Sequence, residues 1–241
     1  MNNPLCVLGS FFKSKYLLVC ILAFIPAEQL TASESIRYDE LSYIHLLIDE
    51  LDSEDDASMN KAIQNLQDLI KNDVLLDELL MQYSLSNEKT RLNVLEVLSD
   101  SISDTRVIIF LELLCKDETI DIKIKLSQIF GRIDSITNLY TLKMYSSLLI
   151  ELSDDDDATV RWWACKSLGR YNCSDNIYNR LLNVYFCDSD VEVRIEALEA
   201  LAIICPSEDI VPIVMDALNN ENRQIQILAT DVIKWTGYYP E

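Results

Sequence analysis

Two groups of residues come nearest to chemistry in this chain: the four consecutive acids Asp154, Asp155, Asp156 and Asp157, and the aromatic and basic set Trp163, Lys166, Arg170 and Tyr171 that follows. Adjacent carboxylates invite a divalent cation, but a calcium loop needs spaced ligands and a central Gly, and residues 154–157 have neither. Acids at this place can instead cap a helix and favour the positive end of its dipole. Trp163 with Lys166, Arg170 and Tyr171 would form an aromatic and basic patch, and such anchors often dominate interface energies. That reading expects one of Trp162 and Trp163 in the core and the other partly exposed, and the competing reading is that Trp163 packs on the neighbouring repeat. His45 is the chain's single His, too isolated for catalysis or metal binding, and no HExxH, glycine-rich phosphate loop or GxSxG is present. No catalytic residue, cofactor or metal is expected.

The elements that position these residues are repeated. The stretch DDDDATVRWWACKSL, residues 154–168, returns as DSDVEVRIEALEAL at 188–201, with Arg161 and Arg194 separated by 33 residues. With Arg161 as position zero, the register falls on Met59, Arg91, Lys123, Arg161, Arg194 and Gln226. Plus three is then Ala62, Val94, Leu126, Ala164, Ala197 and Ala229, and plus seven is Leu66, Leu98, Phe130, Leu168, Leu201 and Ile233. Both columns are apolar, and spacings of three and four keep them on one helix face. A preceding amphipathic helix in each unit is expected near 41–51, 74–83, 106–115, 139–152, 176–186 and 210–218. One pair cannot cover its own apolar face, so neighbours must stack. The expected fold is all-α, a right-handed α-solenoid of about six HEAT-like helix pairs. A longer connection is expected around 131–138.

The repeated Asp-x-x-Val-Arg-x-x-Ala-x-x-x-Leu, read at 157–168 and 190–201, resembles HEAT repeats, especially the short class of phycobilisome bilin lyases. The resemblance spans about residues 38–237 and is loosest at Met59. It implies an Asp and Arg ladder between repeats, which Asp157 with Arg161 and Asp190 with Arg194 fit. It also implies an alternative activity, tetrapyrrole attachment or other cofactor handling. Deoxyhypusine hydroxylase is also built from HEAT-like repeats, but one His followed by Leu cannot supply that enzyme's His-Glu iron ligands. Plus two, holding Lys61, Asn93, Lys125, Trp163, Glu196 and Leu228, is expected on the concave face where such solenoids bind partners.

Acids outnumber bases 40 to 20, giving a net charge of −20. Nucleic acid and anionic membranes are therefore disfavoured, and a basic protein partner is expected. Acids recur in the turns at 52–56, 117–118, 154–157, 188–190 and at Glu221, so stacking would align them in an acidic ridge that includes Asp154, Asp155, Asp156 and Asp188. Lys13 and Lys15 precede the apolar run 16–25, with small residues at Ala27 and Ala32. This layout predicts a signal peptide and leader at 1–32, a linker at 33–37, the solenoid at 38–237 and a tail at 238–241. The exported protein would be periplasmic or secreted, leaving Cys115, Cys165, Cys173, Cys187 and Cys205; the alternatives are an uncleaved N-terminal membrane anchor, or a cytoplasmic protein whose start is placed too early. Cys173 and Cys205 hold nearly equivalent places in adjacent repeats, but a helix spacing of about 8–10 Å is too wide for a disulfide. That expectation favours a reducing compartment, against the export reading. The combined expectation is a non-enzymatic protein that binds a protein partner, as an adapter or immunity-type inhibitor.

Overall fold

A computed structural model describes residues 32–236 except 72, 118, 133–137 and 206. The helices are α1 (Ala32–Glu50), α2 (Asp56–Leu69), α3 (Asp73–Tyr83), α4 (Glu88–Leu98), α5 (Thr105–Asp117), α6 (Ile120–Phe130), α7 (Leu139–Leu152), α8 (Ala158–Leu168), α9 (Asp175–Cys187), α10 (Val191–Ile204), α11 (Ser207–Leu218) and α12 (Arg223–Thr236). A short 3-10 turn, Ser99–Ser101, follows α4. No strand occurs among the described residues, and the fold is all-α. The expected signal segment lies outside the described residues but for its last residue, Ala32, as does the 238–241 tail. Residues 33–37, expected as a linker, are instead the first turns of α1.

The even-numbered helices start where the register places them, and in all but α6, where Thr119 makes no side-chain cap bond, position minus four supplies a cap. Asp55, Asn87, Asp157 and Asp190 each stand in extended backbone, and each accepts amide hydrogen bonds from the first turn that follows. Asn222 does the same for the amides of Gln224 and Ile225 before α12. Such caps contribute about 1 kcal/mol each and set the helix start.

The described residues divide into two compact units on either side of Gln82 and Tyr83. In the first, α1 packs on α2. His45 lies on α1, where its Nε2 is 2.7 Å from Glu78 Oε1, and Gln82 Nε2 donates to the same carboxylate oxygen at 2.8 Å. Glu78 is buried, so the lone His serves, together with Gln82, as a polar partner for a buried acid.

In the second unit, α4, α6, α8, α10 and α12 stack in order, and α7, α9 and α11 each pack on the helix that follows. The plus-three residues Ala62, Val94, Leu126, Ala164, Ala197 and Ala229 are all fully buried. Plus seven is equally buried from Leu66 to Leu201, whereas Ile233 of α12 is only half-buried. Close stacking is set by small residues. A Cβ on Gly169 would lie 3.1 Å from Ala200, and one on Gly131 would lie 2.7 Å from Ser167 Oγ. Ser167 uses that proximity to donate to Ser127 O at 2.8 Å, joining α8 to α6. At the inter-repeat loops, Tyr145 donates to Ile102 O and Tyr171 to Phe130 O, both at 2.6 Å.

Candidate functional site

At the acidic turn edge of the second unit, position-zero cations reach across to the next repeat. Lys123 Nζ of α6 is 2.7 Å from Asp155 Oδ2, and the Arg161 guanidinium of α8 donates twice to Asp188, both at 2.8 Å. Asp155 and Asp188 also receive the backbone amides of Asp157 and Asp190. Burial alone would raise both carboxyls, but the Lys123 or Arg161 hydrogen bond and the amide outweigh it and hold them below the usual carboxylate range. Arg180 of α9 spans the same turn, donating to Ser153 Oγ, Ser153 O and Asp154 Oδ1.

The ladder is therefore real, but its acids differ from those the family resemblance implied. Asp157 and Asp190 are helix caps, and the cross-repeat acids are Asp155 and Asp188, two residues earlier. The cause is the turn geometry: position minus four must aim at the amides below it, which leaves position minus six to face the neighbouring cation. Asp188 is only 7% exposed and Asp155 14%, so neither offers its charge outward. Asp154 and Asp156 do. A cleft of about 550 Å³ lies on one side of this pair, between Lys116, Lys123 and Arg180. A second, of about 320 Å³, lies on the other side against Arg161, Asn183 and Asp188.

On the helix face, the structure brings Trp162, Trp163 and Lys166 together. The two indoles meet edge to face at 5.0 Å, and the Lys166 ammonium lies 4.4 Å from one ring centroid and 5.5 Å from the other. Both Trp residues are half-buried, so the expected division into one core and one exposed Trp does not occur. Tyr171 does not belong to this patch. It is 7% exposed, with its hydroxyl committed to Phe130 O, because the loop after α8 folds back under the preceding repeat. Arg170 is exposed but lies beyond the C-terminus of α8, whereas Asp154, Asp155 and Asp156 lie before its N-terminus. Eleven helical residues separate them by about 16 Å, so Arg170 and the acidic turn lie at opposite ends of one helix.

Glu196 was expected as an outward plus-two residue, yet it is 8% exposed. Burial pushes its carboxyl up to about 7, with Lys166 opposing the shift and Glu199 adding to it. No residue type in the register distinguishes Glu196 from an exposed acid; the Trp163 at plus two of the preceding repeat was the available signal. Among the described residues, no cluster of His, Cys, Asp or Glu could hold a metal ion, and no helix is long and apolar enough to cross a membrane.

Two-helix units stacked through their second helices define an α-helical repeat scaffold. Residues 145–238 match the family model for HEAT repeats, and this segment is a HEAT-repeat scaffold. Solved structures similar to the chain include a designed armadillo repeat protein in complex with peptide (KR)4, at 18% identity, TM-score 0.49, and coverage of 79% of this chain and 98% of that one. Another designed armadillo repeat protein is 16% identical with TM-score 0.47, again covering 79% and 98%. An engineered protein is 17% identical with TM-score 0.46, covering 79% and 97%. No curated protein matches the chain.

Proposed function

We propose that this protein is a non-enzymatic binding scaffold that holds a basic protein partner against the acidic turn edge of its second unit, as an adapter or immunity-type inhibitor. HEAT-repeat scaffolds commonly mediate protein binding, which is the coarse part of the reading. One observation carries the finer part. Lys123 and Arg161 along this edge are bonded to the turn acids Asp155 and Asp188, and Arg180 to Ser153 O and to Asp154, while Asp154, still 79% exposed in that pair, and the exposed Asp156 lie between two clefts. The surface offered to a partner is thus a carboxylate pair with its nearest cations already engaged. The overall charge of −20 favours the same class of partner and works against polyanions. Trp163 and Lys166 supply a second, less polar contact on the helix face.

Export through residues 1–32, placing the protein in the periplasm or outside the cell, belongs to the same proposal and rests on the sequence of that segment. The test is capture of the tagged full chain from its own cells, with mass-spectrometric identification of the bound protein and of the mature N-terminus. A retained basic protein that is lost on raising salt and on Asp154→Asn with Asp156→Asn supports the reading, because screening acts on exposed charge. A complex insensitive to both salt and these substitutions would sink it, and an intact Met1 terminus would sink the export part alone.

A further inference from the structure

Five cysteines lie in the described residues, and their surroundings separate them. Cys115 and Cys165 are buried, and burial pushes both thiols up to about 12, which leaves them small core residues. Cys187 is exposed at the end of α9, near Asn183. Cys173 and Cys205 are different: their sulfurs lie 3.8 Å apart. Cys173 is in the loop between α8 and α9, and Cys205 ends α10, just before α11. The expectation that these two were too far apart used the spacing of packed helices. Neither Cys stands on a packed helix face; both extend from inter-repeat loops, so the helix spacing does not apply. Two thiols in van der Waals contact need only small movements to reach the bond length of about 2 Å.

The geometry points to Cys173 and Cys205 as an inter-repeat disulfide site, closed by a disulfide oxidant such as glutathione disulfide, that staples the loop after α8 to the loop after α10. Cys173 is the exposed member and meets the oxidant first. Its thiolate attacks one sulfur of the oxidant, forming a mixed disulfide and releasing one thiol. Cys205 then loses its proton and attacks the Cys173 sulfur, forming the Cys173–Cys205 bond and releasing the second thiol. Two protein thiols are oxidised and one external disulfide is reduced, with both protein hydrogens carried off in the two thiols released. Burial and the neighbouring Cys173 push the Cys205 thiol up to about 12, so it is a slow external nucleophile. Attack on a partner already in contact offsets this through proximity.

The bond would close a loop across one repeat, and constraint of the unfolded chain is what such a cross-link supplies. It would also hold the loops on the edge opposite the acidic turns, thereby fixing the spacing of the repeats that carry Trp163 and Glu196. The bridge does not depend on which partner the acidic edge binds.

The test treats the folded full chain with glutathione disulfide, alkylates the remaining thiols and maps the peptides. A Cys173–Cys205 linked peptide is expected, with the oxidised protein melting about 5 °C or more above the reduced one. Cys205→Ser should trap a glutathione adduct on Cys173, while Cys187→Ser should leave the bridge unchanged. Because Cys187 is exposed and Cys205 half-exposed, these substitutions leave the core intact. The inference is overturned if both thiols remain alkylatable in the folded protein, or if the link appears only after denaturation.

Discussion

Three carboxylates of the second unit are largely withdrawn from water, yet the turn edge and the helix face treat them in opposite ways. Asp155 and Asp188 sit at the turns with a cation and a backbone amide donating to each, and both are held as anions below the usual range. Glu196 sits on the helix face without such donors among the described residues, and its carboxyl rises to about 7. Burial penalises the charge in every case, so the sign of the shift is decided by hydrogen bonds to the charged form. The turn edge is a finished scaffold, whereas the helix face carries an unresolved charge.

The largest expected effect comes from breaking the finished pair. Asp188→Ala leaves the Arg161 guanidinium with only the carbonyls of Asp155 and Asp156 and no carboxylate at its other two donors, and should destabilise the protein by about 2–4 kcal/mol in a denaturant titration. Asp155→Ala, facing a single Lys123 ammonium, should cost less. A loss below about 0.5 kcal/mol in both would show that the ladder contributes nothing measurable.

Overpacking the repeat interface comes next. Gly169→Val places atoms against Ala200, including its Cα, and should cost about 1–3 kcal/mol, while Ile203→Ala on the exposed face should cost far less. Equal losses would mean that the close approach at Gly169 does not govern stacking.

Titration separates the two kinds of carboxylate directly. The folded Glu196 carboxyl lies above its unfolded value of about 4.5, so the folded state holds its proton more tightly. Its contribution to stability is full below that value and is lost as pH rises toward about 7. Glu196→Gln should therefore remove the decline over that window and stabilise the protein above it, as read from denaturation midpoints across pH. Asp155 and Asp188 act in the other direction: their contribution is present above the unfolded value of 3.8 and is lost as pH falls through their lowered folded values. Asp188→Asn should weaken that acid-side loss and leave the Glu196 window untouched.

The smallest stability effect should come from Asp154→Asn and Asp156→Asn, within about 0.5 kcal/mol of the parent, because both side chains are exposed. Their effect belongs to partner binding. A large destabilisation would assign them to the scaffold instead.

The helix pairs were legible in the chain because they rest on local rules. An apolar residue at plus three and plus seven, preceded by an Asp or Asn cap, specifies an amphipathic helix whatever surrounds it, and α7 falls on the expected 139–152. The site was less legible. Trp163 and Lys166 could be joined because one helix carries both, but Tyr171 could not be removed from the group without knowing that Phe130 O waits 41 positions away. Likewise, a run of Asp residues does not say which member caps and which pairs across repeats.

The sequence by itself determined an acidic, all-helical repeat scaffold, since charge and the three-and-four periodicity require no knowledge of distant contacts. Only the tertiary structure decided that Asp155 and Asp188 are ladder acids, that Glu196 is buried, and that Cys173 meets Cys205. Each depends on how one repeat lies against the next, and stacking geometry brings together residues about 30 positions apart that no local pattern connects.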